Sequence, residues 1–110
     1  MTDSATTYYY VLASQRFLFE EEPFEEVLKE RELNYQERGI EKDFWLVKDP
    51  AFVNLPEFAE IKAKIPQPCV AIISTNSSFV TWLKLRLEYV YKGEFQAPSA
   101  SIPDPLASAV

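Results

Sequence analysis

The side chains that most often carry out catalysis or bind metals are scarce in this chain. None of its 110 residues is a histidine, which removes the commonest general base, the His-dependent nucleophile triads and the usual zinc ligands. The chain also cannot supply the Glu-x-x-His pairs of a di-iron carboxylate site. Gly39 and Gly93 are the only glycines, so no Gly-rich loop can cradle a phosphate as in P-loop or Rossmann motifs. We therefore expect no catalytic residue, no metal and no cofactor.

Two groups of potentially reactive side chains remain, and both have a structural interpretation. Cys69 lies in the apolar run Cys-Val-Ala-Ile-Ile, where burial opposes ionisation, so we predict a core residue and not a nucleophile. As the only cysteine, it cannot form an internal disulfide, which suits a reducing compartment. Glu20, Glu21 and Glu22 precede Pro23, and acids around a proline are typical of a helix start.

Charge and hydropathy narrow the class of partner. The chain has 17 acidic and 11 basic residues and a net charge of −6. We therefore expect no nucleic-acid partner and no adhesion to an anionic membrane. The acidity indicates either solubility alone or a basic partner.

The longest apolar runs, Tyr8–Ala13 and Cys69–Ile73, are far shorter than the ~20 residues of a spanning helix, so no direct membrane insertion is expected. Residues 1–7 lack the features of a secretory signal.

Alternating strands and helices must position these side chains. Strands are predicted at Thr6–Ser14, Asp43–Lys48 and Cys69–Ser74, a short turn of helix at Gln15–Phe19, and longer helices from Pro23 to Gly39, from Pro56 to Lys64 and from Ser77 to Gly93. Each glycine is expected to end the helix before it. The pattern predicts an α+β fold with a small, mainly antiparallel sheet of three or four strands flanked by about four helices.

Residues 1–97 are expected to form the domain. Residues 98–110, rich in Pro, Ser and Ala, are expected to form an extended or flexible tail outside the core.

Two of these elements carry more apolar surface than one neighbour can cover. The last helix has one stripe made of Phe79, Leu83, Arg86, Leu87 and Val90, and a second made of Trp82, Leu85 and Tyr89. The second stripe requires another element or a partner. The strand at Asp43–Lys48 is apolar on both faces, which is compatible with a fully covered core or with an exposed binding face.

Seven stretches of the sequence together resemble one known family. They are Thr7–Gln15, Phe17–Arg31, Asp43–Trp45, Val70–Asn76, Lys84–Val90, Gly93–Phe95 and Ile102–Ser108. Over nearly its whole length, the chain resembles the hypothetical chloroplast open reading frame fifty-four family, also called low chlorophyll accumulation A. It departs from the family pattern mainly in residues 33–41 and 53–68.

The resemblance implies a role in chlorophyll biosynthesis. Members of the family occur in cyanobacteria and chloroplasts, and they support the oxidative cyclase that converts magnesium-protoporphyrin IX monomethyl ester to protochlorophyllide. The implied role is that of a non-catalytic accessory or assembly factor that binds and stabilises the membrane-bound di-iron oxygenase subunit. Such a factor would be cytoplasmic in a cyanobacterium, or stromal in a plastid, and would reach the thylakoid through its partner.

Two other functions stay open at this point. One is a porphyrin carrier or substrate-delivery module for the same pathway, for which only tyrosines, Met1 or Cys69 could provide an axial ligand. The other is a catalytic subunit, which the missing histidines disfavour.

The candidate partner-binding residues are Asp43, Phe44, Trp45 and Arg86. Arg86 falls in an apolar stripe, where a buried charge is costly unless it is paired, and Asp43 is a possible mate. A buried Asp43–Arg86 pair would be structural, and breaking it would cost about 3–5 kcal/mol. In the alternative, Asp43, Phe44 and Arg86 form one exposed patch that binds the oxygenase subunit, and Arg86→Ala stays folded but loses that partner.

Overall fold

A four-stranded antiparallel sheet forms the centre of the computed structural model, which describes residues 5–109. Its strands are β1 (Thr6–Ser14), β2 (Phe44–Lys48), β3 (Cys69–Ser74) and β4 (Tyr91–Ala97), in the spatial order β2-β3-β1-β4. The predicted α+β fold with a small antiparallel sheet is confirmed. Residues 1–4, part of the segment for which no secretory signal is expected, lie outside the described residues.

Within residues 5–109, three α-helices and three helical segments of other types connect the strands. The α-helices are α1 (Glu25–Arg38), α2 (Ala59–Ala63) and α3 (Ser77–Leu87). A π-helix spans Phe17–Glu21, and 3₁₀ turns span Ala51–Asn54 and Pro56–Phe58. As predicted, Gly39 ends α1 in the left-handed region, with φ of 68°. Asn76 caps α3, and its Oδ1 accepts a hydrogen bond of 3.1 Å from the Phe79 amide.

The side chains of the strands alternate between two cores, one on each face of the sheet. The α1–α3 core contains Val11, Phe44 and Ile72 from the strands, together with buried side chains of α1 and α3. The opposite core contains Tyr10 and Ile73, together with side chains from the 3₁₀ turns and from the segment after α2. Each apolar face of β2 therefore packs against a core, although Trp45 and Leu46 are only partly buried, and the strand presents no fully exposed apolar face.

The segment after β4 packs back onto the domain. Ile102 is buried in the opposite core beside Phe52 and Val53. The Ala51 amide donates a 2.8 Å hydrogen bond to the Ala107 carbonyl. The prediction that this segment lies outside the core is wrong at Ile102. Its side chain completes the cover over the second face of the sheet, and a Pro-rich sequence without periodicity gives no sign of that long-range contact.

Gly93 lies in β4 and does not end a helix, so the predicted helix end is wrong. Helix α3 stops at Leu87, and Glu88 takes φ of 60° and ψ of −55°. In the sheet, Gly93 stands opposite Tyr10, whose ring lies over it. A Cβ atom at residue 93 would come within 2.7 Å of Tyr10 Cζ, closer than any van der Waals contact allows. The glycine is needed for this close approach.

Replacing Ile102 tests whether the last segment contributes to the core. We expect Ile102→Ala to lower the free energy of unfolding by about 2–4 kcal/mol, because it leaves a cavity beside Phe52. The exposed neighbour Ser101 provides the control, since Ser101→Ala should change stability by less than about 0.5 kcal/mol. Urea unfolding followed by circular dichroism measures both, and equal stability of the two variants would contradict the docking of this segment.

Replacing Gly93 tests the close approach of Tyr10. Gly93→Ala should destabilise the domain by about 1–3 kcal/mol, because the added methyl group overpacks the contact with the ring. In a Tyr10→Leu background the same change should cost measurably less, since the obstructing ring is gone. A double-mutant cycle by urea unfolding measures the coupling, and additive effects would show that the ring does not restrict residue 93.

Candidate functional site

The four candidate partner-binding residues do not form one surface. Phe44 is buried in the α1–α3 core. Trp45 is half-buried on the opposite face, with its ring centroid 6.4 Å from that of Tyr8. Neighbouring residues of a strand point to opposite faces, so a partner that contacts one of these two rings directly cannot reach the other from the same side. Arg86 lies on α3.

Phe44 belongs to an aromatic cluster that joins β2, α1 and α3. Its ring packs edge-on against Tyr35 and Phe79, at centroid distances of 5.5 and 5.6 Å. The Arg31 guanidinium lies 3.8 Å from the Phe79 ring centroid, and its Nη2 donates a 2.8 Å hydrogen bond to the Tyr35 hydroxyl. A desolvated cation over aromatic rings is stabilising, so this cluster fixes the position of α1 relative to α3.

Asp43 contributes to the junction between β2 and the start of α3. Its carbonyl accepts hydrogen bonds from Ser74 Oγ at 2.7 Å and from the Thr75 amide at 3.2 Å. The same Ser74 oxygen accepts from the Asn76 amide at 2.9 Å. The Asp43 carboxylate is half-buried, and its Oδ1 has no hydrogen-bond partner among residues 5–109. The backbone of Asp43 therefore helps to hold the cap of α3.

Arg86 is exposed and does not pair with Asp43, so the alternative of a buried Asp43–Arg86 pair is wrong. Its Nη1 lies 3.2 Å from Glu22 Oε1, and its side chain is 48% exposed. Its guanidinium carbon lies 5.9 Å from the centroid of the Phe24 ring. The buried positions of α3 are Phe79, Val80, Leu83 and Leu87. At 100° per residue, Arg86 falls at the border of this buried side and reaches solvent.

The second predicted stripe of α3 is exposed. We call Trp82 and Leu85 of α3, together with Tyr89 just beyond its end, the α3 outer stripe; their exposed fractions are 46%, 73% and 80%. Trp82 stacks on Phe79, with ring planes 16° apart, and Tyr89 packs edge-on against Phe17. The helical periodicity of the sequence predicted this stripe, but its three residues were not among the candidate partner-binding residues. The feature that could have identified them is the helical spacing of three large apolar side chains that the sheet cannot cover.

Other chemically relevant groups lie inside the domain. Burial raises the pKa of the Cys69 thiol, and the nearby Asp49 charge raises it further, so the thiol is protonated at neutral pH. The prediction of a core cysteine is confirmed.

Among residues 5–109, no group of three or more His, Cys, Asp or Glu side chains is placed to hold a metal ion. None of the helices in this part of the chain is long and apolar enough to cross a membrane. Met1, one of the possible axial ligands, lies outside the described residues.

Replacing Arg86 distinguishes an exposed ion pair from a buried one. We expect Arg86→Ala to lower the free energy of unfolding by about 1 kcal/mol or less, because Arg86 and Glu22 are both partly solvated. Glu22→Ala should have a similar effect, and the double variant should reveal the small coupling between them. Chemical denaturation measures all three, and a loss of about 3–5 kcal/mol for Arg86→Ala would indicate the buried pair instead.

Comparisons with known proteins agree on one family. The sequence profile described as "Ycf54 protein" matches residues 6–97 of this chain. The "Ycf54-like protein" of the cyanobacterium Synechocystis is 66% identical over 107 residues, which cover 97% of this chain and 80% of that protein. The "Protein YCF54, chloroplastic" of Arabidopsis thaliana is 40% identical over 105 residues, and the match covers 94% of this chain and 48% of that protein.

Solved structures show the same fold. The All0216 protein from Nostoc sp. PCC 7120 is similar with a TM-score of 0.94 and 68% identity, covering 98% of this chain and 100% of that one. The Ycf54 protein from Synechocystis gives a TM-score of 0.90 and 64% identity, covering 97% of this chain and 100% of that one. Relatives of this chain therefore occur in cyanobacteria and, by the name of the Arabidopsis protein, in chloroplasts.

Proposed function

The chain belongs to the Ycf54 family, and we propose that it is a non-catalytic accessory factor for the magnesium-protoporphyrin IX monomethyl ester oxidative cyclase. In this proposal it binds and stabilises the di-iron oxygenase subunit of that enzyme. One observation carries the protein-binding role: the α3 outer stripe presents three large apolar side chains to solvent. The identity of the partner rests on the family resemblance of the sequence.

The α3 outer stripe has the composition of an interface core. Contiguous exposed apolar patches mark interaction sites, and binding hot spots are enriched in Trp and Tyr. Two of its rings are already held in place, since Trp82 stacks on Phe79 and Tyr89 packs against Phe17. A pre-ordered ring loses little conformational entropy when a partner covers it. Less of the free energy gained by burying the stripe is therefore lost to ordering its side chains, and more of it favours binding of the partner.

Arg86 borders this stripe and gives it a charged rim. Its ion pair with Glu22 is partly solvated, so a carboxylate of the partner can replace Glu22 at little cost. Phe44 is placed to act indirectly: it packs against Phe79, and Phe79 supports the ring of Trp82. The backbone of Asp43 helps to hold the cap of α3 and so supports the helix that carries the stripe. Trp45 lies on the opposite face of the sheet and does not contribute to this surface.

The proposal assigns the iron and the oxidation chemistry to the partner. The chain has no histidine, and di-iron carboxylate sites are typically completed by Glu-x-x-His pairs. The accessory factor would be cytoplasmic in a cyanobacterium, or stromal in a plastid, and would associate with thylakoids only through the oxygenase subunit. Its stabilising effect then follows from thermodynamic linkage. If it binds the folded oxygenase subunit but not the unfolded one, binding shifts the folding equilibrium of that subunit toward the folded state.

A charge on the stripe tests the proposal. We expect Leu85→Glu to stay folded, because Leu85 is 73% exposed. It should nevertheless reduce co-purification of the oxygenase subunit from a cyanobacterial host at least about tenfold, since burying an unpaired carboxylate at an interface is costly. The matched control is Leu33→Glu, which makes the same change on α1 at a position that is 54% exposed. Circular dichroism and urea unfolding verify both folds, and quantitative immunoblotting measures the captured subunit.

Two outcomes would contradict the proposal in different ways. If both variants capture the oxygenase subunit as well as the unmodified chain does, the partner does not bind the α3 outer stripe. If the unmodified chain captures no oxygenase subunit, the partner is wrong whatever the surface. The level of the oxygenase subunit in cells that carry only Leu85→Glu measures the stabilising role, and it should fall relative to cells that carry Leu33→Glu.

A further inference from the structure

A cleft of about 660 Å³ opens at the edge of the domain where β1 ends and β4 begins. It lies between the start of the π-helix at Phe17, the segment after α2 at Ile65, and the turn that leads from α3 into β4. Its volume falls within the range of small-molecule sites, about 300–1,000 Å³. Of the residues that line this cleft, the protein-binding role proposed above uses only Tyr89.

The walls of the cleft are mixed: polar and apolar groups line it about equally, and the apolar part includes three aromatic side chains. Phe17 and Tyr89 meet edge to face with centroids 6.3 Å apart, and the ring of Tyr91 is partly exposed. The buried side chains of Leu12 and Ile65 also line the space. Aromatic side chains favour stacked or edge-to-face contact with another ring, so this part of the wall suits a flat aromatic ligand.

The rim of the cleft is rich in lysine, although the chain as a whole is acidic. Lys64, Lys84 and Lys92 line it, together with Glu21 and Glu88. Lys84 Nζ is occupied, because it donates to the carbonyls of Glu88 and Val90 at 2.9 and 2.8 Å.

The other two lysines of the rim are available to a ligand. Lys64 and Lys92 are exposed, and within residues 5–109 their ammonium groups make no hydrogen bond or ion pair. Of the two carboxylates, Glu21 lies 3.9 Å from the Arg16 guanidinium, which offsets its charge. Two unpartnered cations beside aromatic and aliphatic side chains are complementary to a ligand with one negative group.

Two unusual backbone segments form the sides of the same cleft. The first is the five-residue π-helix Phe17–Glu21, a rare conformation that is frequent at functional sites. The second is a tight turn at Glu88, with φ of 60°, in which the Tyr89 amide donates to the Leu87 carbonyl at 2.6 Å. This form of γ-turn is strained, and such strain persists where the surroundings hold it. Here the Lys84 ammonium fastens the turn, and the turn places the Tyr89 ring against Phe17.

We propose that this cleft binds a small, flat aromatic molecule that carries a carboxylate. The ring packs among Phe17, Tyr89 and Ile65, and the carboxylate lies at the ammonium groups of Lys64 and Lys92. The site is separate from the α3 outer stripe except at Tyr89, which belongs to both. Ligand binding is therefore a second activity of the chain, independent of the identity of its protein partner.

The fluorescent acid 1-pyrenebutyrate provides a probe, and 1-pyrenebutanol provides its neutral match. The full chain should bind the acid saturably with one-to-one stoichiometry, and it should bind the alcohol about fivefold more weakly, the effect of one exposed charge interaction. Lys64→Glu and Lys92→Glu should each weaken binding of the acid about fivefold or more and should change binding of the alcohol less than twofold. Lys29→Glu on α1, an exposed lysine outside the cleft, makes the same change in net charge and should leave both affinities unchanged.

Amide chemical shifts locate the bound probe and separate this proposal from the previous one. With ¹⁵N-labelled protein, the shifts caused by the acid should concentrate at Phe17 and at residues 89–92. Unsaturable binding, equal affinity for acid and alcohol, insensitivity to both lysine variants, or shifts centred on Trp82 and Leu85 would each overturn the proposal. Because neither lysine belongs to the α3 outer stripe, Lys92→Glu should still capture the oxygenase subunit, so failure of one proposal leaves the other testable.

Discussion

Strand β3 is buried at all six of its positions, so the sheet must be covered on both faces. This requirement places every other element of the domain. Helices α1 and α3 cover one face, while the 3₁₀ turns, the segment after α2 and the segment after β4 cover the other. An antiparallel sheet with one solvated face would show polar residues at alternate positions, and the central strands do not. The central strands are therefore covered on both faces, whereas β4 at the edge exposes Lys92, Glu94 and Gln96.

Enclosing the sheet uses one side of α3 and leaves the opposite side exposed. The buried side packs on β1 and β3, and it is locked to α1 by the aromatic cluster around Arg31. The outer side then carries Trp82 and Leu85 in solvent, although the internal packing does not require them there. The exposed parts of such large apolar side chains add nothing to the stability of the isolated domain. A partner surface gives these residues a physical role, and for this reason the proposed interface lies on α3.

The early end of α3 connects the two surfaces proposed here. Helical periodicity continues through Tyr89 and Val90, but the chain leaves the helix after Leu87 because β4 must begin at Tyr91 to pair with β1. The strained turn at Glu88 makes this change of direction within three residues. Tyr89 consequently leaves the helix and packs on Phe17. The same ring is exposed just beyond the end of α3 and forms one wall of the lysine-rimmed cleft.

The sequence by itself determined the fold class, three of the four strands, the cap of α1 at Gly39, the buried Cys69 and the existence of a second apolar stripe at the last helix. Each of these follows from the local alternation of apolar and polar residues or from the conformational preference of one residue type, and both can be read along the chain. Only the tertiary structure decided that Arg86 pairs with Glu22, 64 residues away, that Gly93 lies beneath the Tyr10 ring, and that Ile102 returns to the core. The periodicity of an element shows which side is apolar but not which distant element covers it. The aromatic and lysine side chains of the cleft come from separate segments for the same reason, and no local pattern links them.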